Sequence, residues 1–193
     1  RIYNILSHSS VAIAGLGGLG SNIAMYLARA GVGHLHLVDF DKVDITNLNR
    51  QQYDIADLGT LKTDALTKNI KRFNPFIEIT SQCVKVNEDN AAEIFGGYKI
   101  VCEAFDKAEN KAMLVNSILS ECGDTKIVSG SGMAGFGSSN TIVTRKINDR
   151  FYLCGDAESD MNDGLALVAP RVAICAAHEA NMILRLLIGE KEV

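Results

Sequence analysis

The chain has 193 residues, of which 47% are hydrophobic and 22% are charged, so its composition is that of one ordinary globular domain and excludes a disordered or low-complexity chain. A net charge of −4 argues against broad binding to nucleic acid or to acidic membranes, because such binding needs a positive surface. The longest apolar stretch, residues 169–188, includes Arg171, Glu179 and Arg185. It therefore predicts a core helix rather than a membrane span.

The five cysteines predict a reducing environment. Their number is odd, and no two of them have the CxxC spacing of a zinc pair. The first residues show no charged segment followed by an apolar one, so we expect no signal peptide. These features predict a cytoplasmic protein with neither a disulfide framework nor a zinc site.

Apolar patterning predicts strands that alternate with helices along the first 130 residues. Strands are expected at residues 11–14, 34–39, 78–84, 98–103 and 126–129, and helices at residues 19–30, 62–73, 90–95 and 107–121. Residues 140–145 and 151–154 then predict an antiparallel pair, residues 155–164 a solvated and mobile acidic loop, and Pro170 the start of a last helix.

This order predicts the fold class. Strands that alternate with helices pair in parallel through right-handed crossovers. We therefore expect one α/β domain over residues 1–193, with a doubly wound, Rossmann-like, mostly parallel sheet and an antiparallel C-terminal extension. Within it, residues 1–130 are expected to form the half with alternating strands and helices, and residues 131–193 the extension, the loop and the last helix.

A glycine-rich loop joins the first predicted strand to the first helix. Its glycines let a phosphate approach the backbone at the start of that helix, where the helix dipole favours an anion; they are Gly15, Gly17, Gly18 and Gly20. Asp39, at the end of the second predicted strand, can accept hydrogen bonds from a ribose. A second GxGxxG match at residues 130–135 precedes a strand rather than a helix and predicts a structural loop only.

The polar segment after Asp39 favours a triphosphate over a dinucleotide. This segment, residues 39–51, contains Arg50, and Lys62 begins the next predicted helix. Two cations suit attack at an α-phosphorus with loss of pyrophosphate, because negative charge then grows on several oxygens. The glycine loop and Asp39 alone would indicate a nicotinamide-dependent oxidoreductase binding NAD, and that function stays open.

Several segments resemble one family closely. They are GLGGLGSN (15–22), VDFDKVDITNLNRQ (38–51), LGTLK (58–62), NPF (74–76) and EAFD (103–106). The family is that of the ThiF/MoeB-type adenylyltransferases, which are related to the ubiquitin-activating enzymes. The stretches SGMAGFG (131–137) and APRVAICAAHEANMIL (169–184) resemble the short ThiF-like proteins linked to thiamine biosynthesis.

The resemblance implies the binding of ATP and Mg²⁺. Asp39 would hold the ribose, Lys62 would neutralise the triphosphate, and Asp106 would anchor Mg²⁺ through ATP. Catalysis would rest on Arg50, Lys62 and Asp106. The implied ATP contacts are Gly15, Gly17, Gly18, Gly20, Asp39, Asp41, Thr46, Asn47, Arg50, Gln51, Lys62 and Asp106.

The resemblance also implies a substrate. The C-terminal glycine carboxylate of a small ubiquitin-like sulfur carrier, ThiS-like and ending in Gly-Gly, would attack the α-phosphorus and release pyrophosphate. Relatives imply a homodimer, and we expect neither a nucleic acid nor a membrane partner. An ATP-dependent tRNA-modifying relative and a non-catalytic binding module also stay open as functions of such a domain.

The sequence departs from the family pattern in two ways. The CxxC pairs that bind zinc in many relatives are absent, and Lys111 stands where relatives carry an arginine. Cys154 is the candidate for a covalent link to the carrier, although a buried position is the expectation. The cysteines expected in the core are Cys83, Cys102 and Cys175.

Overall fold

The computed structural model describes residues 1–193 and contains six α-helices and seven strands. The helices are α1 (Ile2–Ser7), α2 (Gly18–Ala30), α3 (Lys62–Lys71), α4 (Ala91–Phe95), α5 (Ala108–Glu121) and α6 (Ala169–Leu187). The strands are β1 (Ser10–Ala14), β2 (His34–Asp39), β3 (Glu78–Cys83), β4 (Ile100–Glu103), β5 (Lys126–Gly130), β6 (Val143–Asn148) and β7 (Phe151–Gly155).

All seven strands belong to one sheet, in the order β3-β2-β1-β4-β5-β7-β6. Every neighbouring pair is parallel except β6 and β7, which are antiparallel. The predicted doubly wound sheet with an antiparallel extension is therefore confirmed. The chain runs from β5 out to the edge strand β6 and returns as β7 beside β5.

Two local predictions differ from the structure. Helix α1 is not among the predicted elements, because Leu6 is its only buried residue and one apolar contact leaves no periodic pattern. Strand β6 begins at Val143 rather than at residue 140. Residues Ser139–Thr141 form a turn of 3₁₀-helix, and the side chain of Ser138 caps its start by accepting from the backbone N–H of Asn140.

The sheet separates two apolar layers. Helices α2, α3 and α6 cover one face with the larger core, which includes Ile13, Ile23 and Leu66. Helices α4 and α5 cover the other face with a smaller core around Phe95 and Leu114. No helix is both long and apolar enough to cross a membrane.

The glycine loop is packed too tightly for a side chain at its last glycine. A Cβ at Gly20 would overlap the carbonyl oxygen of Gly15, and at Gly15 it would lie 2.7 Å from the carbonyl oxygen of Ala104. Gly15 also has a φ of +90°, a conformation that other residues rarely adopt. The start of α2 thus lies directly against the ends of β1 and β4.

We predict that Gly20→Ala lowers the free energy of unfolding by about 3 kcal/mol, the upper end of ordinary overpacking, because the added methyl group displaces backbone atoms. Gly97→Ala is the matched control, since nothing lies within 4 Å of a Cβ there. Urea unfolding of both variants measures the difference. Equal stability of the two variants would show that the loop is not packed as described.

Helix α6 carries a fully buried carboxyl group. Glu179 Oε2 lies 3.6 Å from the Sγ of Cys102, and its Oε1 lies 4.0 Å from the Sγ of Cys175. Burial raises the pKa of Glu179 well above its ordinary value; Lys111 opposes this shift and Glu103 adds to it. Over some range of pH the folded chain therefore holds a proton on Glu179 that the unfolded chain releases.

This proton makes stability depend on pH. The raised folded-state pKa means that stability from Glu179 is present below the ordinary pKa of a glutamate and is lost as pH rises toward the folded-state pKa. Glu179→Gln removes this loss of stability, because a glutamine side chain does not titrate. Above pH 5, we expect the free energy of unfolding of the variant to rise relative to that of the wild type by up to about 1.4 kcal/mol per pH unit. Urea unfolding at several pH values measures this difference.

The control for this prediction is Glu190→Gln, which changes an exposed side chain. If the free energies of unfolding of the wild type and of Glu179→Gln changed with pH in the same way, the raised pKa of Glu179 would be contradicted.

Candidate functional site

The site lies at the carboxyl ends of β1 and β4. Strand β1 lies between β2 and β4, and the helices that follow β1 and β4 cover opposite faces of the sheet. The two loops therefore diverge and leave a crevice. Doubly wound sheets bind ligands at such a point.

Helix α2 presents an uncapped N-terminus to this crevice. It has 13 residues, and no side chain caps its first turn, so its first N–H groups remain available to an anion. The side chains of Ser21 and Asn22 do not cap these groups, because they donate to the carbonyls of Gly17 and Gly18 at 2.6 Å each. Glycine at position 18 adds no side chain at the first residue of this helix.

Asp39 ties the end of β2 to the glycine loop. Its Oδ2 accepts from the backbone N–H of Leu16 and its Oδ1 from that of Asp41, both at 2.7 Å. Burial raises the pKa of Asp39, while these hydrogen bonds and Lys62 lower it. Each oxygen keeps a lone pair for a further donor such as a sugar hydroxyl.

The segment after β2 is folded by its own side chains. Asp44 caps the 3₁₀-helix Ile45–Asn47 and accepts from the N–H and the hydroxyl of Thr46. Asn47 completes this capping box by accepting from the N–H of Asp44 at 2.9 Å. In the structure, Thr46 and Asn47 hold the segment that carries Arg50. Their predicted contacts with ATP stay predictions.

Arg50 extends over the start of α2. Its Nη1 donates to the carbonyl of Thr46 and to Asn49, and its Nε lies 3.6 Å from the position of a Cβ at Gly18. Burial lowers the pKa of Arg50, and the nearby charge of Asp106 raises it. Its Nε is buried without a hydrogen-bond partner.

Gln51 has a similar position next to Gly17. Its Nε2 lies 3.5 Å from the position of a Cβ at that glycine. Its Oε1 is also buried without a partner. Buried polar atoms are ordinarily paired, so these atoms of Arg50 and Gln51 mark the start of α2 as a place for a polar ligand.

Lys62 supplies a second, more deeply buried cation. It begins α3, where its backbone N–H donates to the carbonyl of Asp41 at 3.0 Å. Its side chain is 7% exposed, and its Nζ lies 4.0 Å from Asp41 Oδ2. This distance is too long for a hydrogen bond, so the ammonium group keeps donors for an anion.

Asp106 is exposed in the loop between β4 and α5. No group of three or more His, Cys, Asp or Glu side chains is arranged to hold a metal ion. A divalent cation at Asp106 would therefore need most of its ligands from a bound molecule and from water. The chemistry of an exposed carboxylate beside a phosphate site fits Mg²⁺, which usually keeps several waters.

The cysteine predictions are confirmed in part. Cys102, Cys154 and Cys175 are buried, and burial raises the pKa of Cys154 to about 12. The prediction that Cys83 is a core residue is wrong, because β3 is an edge strand and its last residue is exposed. All five thiols are free.

The acidic loop is exposed over most of its length, as predicted, but its start is held in place. Asp156 pairs with Arg171 of α6 at 2.5 Å and accepts from the backbone N–H of Ser159. Arg171 also donates to the carbonyls of Gly137 and Ser138. One arginine thereby links α6 to both loops of the C-terminal extension.

Sequence reasoning missed the roles of Val172 and Glu103. The Cγ1 of Val172 lies 3.1 Å from the position of a Cβ at Gly18, so α6 borders the site. Glu103 is fully buried and pairs with Lys111 at 3.2 Å. The one signal in the sequence is a lone glutamate at the end of the otherwise apolar strand β4.

The chain is similar to known proteins. The chain is 30% identical to "Adenylyltransferase and sulfurtransferase UBA4" of Saccharomyces cerevisiae over 192 residues, which are 95% of this chain and 43% of that protein. The protein of the same name from Scheffersomyces stipitis is 39% identical over 129 residues, 66% of this chain and 29% of that protein. The chain thus spans less than half the length of these relatives.

Two solved structures share the fold. E. coli TcdA, a tRNA N6-threonylcarbamoyladenosine dehydratase solved with ATP, has a TM-score of 0.87 at 22% identity, covering 97% of this chain and 88% of its own. E. coli MccB with ATP has a TM-score of 0.75 at 20% identity, and the match covers 98% of this chain and 59% of the MccB chain. A model of the ThiF family matches residues 3–193, and the chain therefore belongs to the ThiF family.

Proposed function

We propose that the chain is an ATP-dependent adenylyltransferase domain that transfers AMP to the C-terminal glycine carboxylate of a small ubiquitin-like sulfur carrier, with release of pyrophosphate. Two cations carry this proposal: Arg50 lies against the uncapped start of α2, and Lys62 lies near Asp39, which is hydrogen-bonded to the glycine loop. Arg50 has a buried Nε without a partner, and Lys62 has no acceptor within hydrogen-bonding distance. A triphosphate would supply the missing acceptors.

The fit to ATP rests on three features of the site. Gly17 and Gly18 leave room for phosphate oxygens against the backbone of α2, whose dipole favours negative charge there. Asp39, at the neighbouring strand end, has lone pairs for the ribose hydroxyls. The predicted contacts of Asp41 and Gln51 are compatible with their places beside Lys62 and Gly17.

The chemistry needs no nucleophile from this chain. A carboxylate oxygen of the carrier forms the new bond to the α-phosphorus, and the bond to the bridging oxygen of the β-phosphate breaks with its electron pair going to pyrophosphate. Negative charge moves toward the leaving group in that step. Arg50 and Lys62 stabilise it by hydrogen bonds in a partly buried site, and both act by position and charge.

Asp106 would hold Mg²⁺ supplied with ATP, and the ion would neutralise part of the triphosphate charge when bound. The exposed position of Asp106 and its electrostatic effect on Arg50 support this assignment. Asp106 then acts by holding the ion at the end of β4, next to the glycine loop.

The proposed carrier is ThiS-like and ends in Gly-Gly. Support comes from the names of the curated relatives, which join adenylyl transfer to sulfur transfer, and from the segments that resemble short ThiF-like proteins. We also propose a cytoplasmic homodimer. Five free cysteines are compatible with that compartment.

A tRNA-modifying enzyme is the second candidate. The match to TcdA favours it, because that match covers 88% of the TcdA chain. The match to the yeast relative covers only 43% of that protein. The net charge of −4 favours the carrier protein instead, because tRNA binding needs a positive surface. Assays of pyrophosphate exchange with tRNA in place of the carrier distinguish the two.

Asp39 is expected to decide which nucleotide the site binds. Asp39→Asn keeps an acceptor for one backbone N–H but removes the charge, so we expect ATP to bind about 10–100-fold more weakly, the usual loss for a hydrogen bond to a charged group. Titration calorimetry with ATP and with NAD measures both affinities. Tight binding of NAD without binding of ATP would contradict the proposal.

Arg50 and Lys62 are expected to affect the rate of adenylate formation more than the binding of ATP. Arg50→Met and Lys62→Met should each slow adenylate formation by about 10²–10³-fold, as expected for a lost contact of about 3–4 kcal/mol to developing charge. The dissociation constant of ATP should change less, because this charge develops in the transition state. Carrier-dependent exchange of labelled pyrophosphate into ATP measures the rate.

Lys68→Met is the matched control, since it removes an exposed lysine from the same helix. The exchange should also require the Gly-Gly tail of the carrier. Wild-type exchange rates in both site variants would refute the assigned roles, and exchange supported by tRNA but by no carrier would establish the second candidate.

A further inference from the structure

Strand β4 ends in a buried acid that the proposed chemistry does not use. Glu103 has no exposed surface, although the residues before it, Ile100, Val101 and Cys102, are apolar or nearly so. A buried carboxylate is costly unless charge and hydrogen bonds compensate it. The contacts of Glu103 therefore indicate what the acid is for.

The carboxylate joins three elements of the fold. Lys111 of α5 donates to Oε1 and Oε2 at 3.3 and 3.2 Å, and Ser129 of β5 donates to Oε2. Burial alone would lower the pKa of Lys111, but the charge of Glu103 and its hydrogen bond raise it, so the lysine is a cation. The acid is thereby anchored on helix α5 and on β5, a neighbour of β4 in the sheet.

Its fourth contact is to the loop that carries Asp106. Glu103 Oε1 accepts from the backbone N–H of Phe105 at 2.6 Å. That N–H is one residue before Asp106, so the hydrogen bond sets the direction in which the chain leaves β4. A carboxylate that only balanced Lys111 would not need this contact.

The other side of the same bend packs against the glycine loop. The backbone N–H of Ala104 donates to the carbonyl of Ala14 at 2.8 Å. The Ala104 carbonyl and the Phe105 ring lie 2.7 and 3.2 Å from the position of a Cβ at Gly15. The bend is thus held between Glu103 and the loop at the start of α2, and Asp106 follows it toward Arg50.

We propose that Glu103, anchored by Lys111 and Ser129, is a positioning residue that holds the bend at Phe105 and so places the Asp106 carboxylate at the triphosphate. The proposal rests on the proposed function only for the role of Asp106. Glu103 itself has no exposed surface with which to contact a ligand. It acts through the Phe105 N–H.

The test uses Ser129→Ala and Lys111→Met, which weaken the anchor, and Glu103→Gln, which removes its charge. Each should lower the rate of pyrophosphate exchange by about 10–100-fold, as lost supporting contacts do at metal and active sites. ATP affinity should change by less than about threefold, and the Mg²⁺ concentration for half-maximal rate should rise. Lys111→Arg should restore most of the rate.

Two further measurements separate positioning from a merely structural role. In an Asp106→Asn background the Glu103→Gln change should have almost no additional effect, because both act through one carboxylate. Amide hydrogen exchange at Phe105 should accelerate in the Glu103 and Ser129 variants. Glu109→Gln, which changes an exposed acid in the first turn of α5, is the control for all readouts.

The proposal would be overturned if Glu103→Gln and Asp106→Asn lowered the rate independently, so that their effects multiplied in the double variant. It would also be overturned if hydrogen exchange of the Phe105 amide did not change. Variants that lose thermal stability while their kinetics stay those of the wild type would overturn it as well. If the wild type itself shows no pyrophosphate exchange, the proposed function fails instead. Amide exchange and the binding of Mn²⁺–ATP, followed by electron paramagnetic resonance, then still test the positioning of Asp106.

Discussion

The packing of the Ala104 carbonyl against the α-carbon of Gly15 is the contact on which the site depends. It brings the loops after β1 and β4 together at the point where their helices leave for opposite faces of the sheet. Only glycine allows both this approach and a φ of +90°. The start of α2 and the acid at position 106 are thereby brought to the same crevice.

Buried charge around this contact is distributed so that most of it is neutralised within the fold. Glu103 is paired with Lys111, Asp39 accepts two backbone N–H groups, and burial raises the pKa of Glu179, which favours its neutral form. The cations of the site, Arg50 and Lys62, are the exceptions, because each keeps donors without acceptors. An excess of unpaired donors in a crevice suits a polyanion that brings its own oxygens.

The sequence predicts the regular elements and the charged side chains of the site because both have local signals. Alternation of strands and helices predicts a parallel sheet, and GLGGLG between a strand and a helix predicts a phosphate loop. What the sequence does not predict depends on contacts between distant segments. The exposure of Cys83 follows from the strand order, and the burial of Glu103 depends on Lys111 and Ser129 of other elements. Helix α1 has one buried residue and no pattern to detect.

The central claim is that AMP, rather than phosphate, is transferred to a carboxylate at the start of α2. It is tested most directly by incubating the chain with a Gly-Gly carrier and ATP labelled in the α-phosphate, followed by mass spectrometry of the carrier. The account predicts label on the C-terminal glycine of the carrier and release of unlabelled pyrophosphate. Formation of ADP and inorganic phosphate, with no label on the carrier, would contradict it.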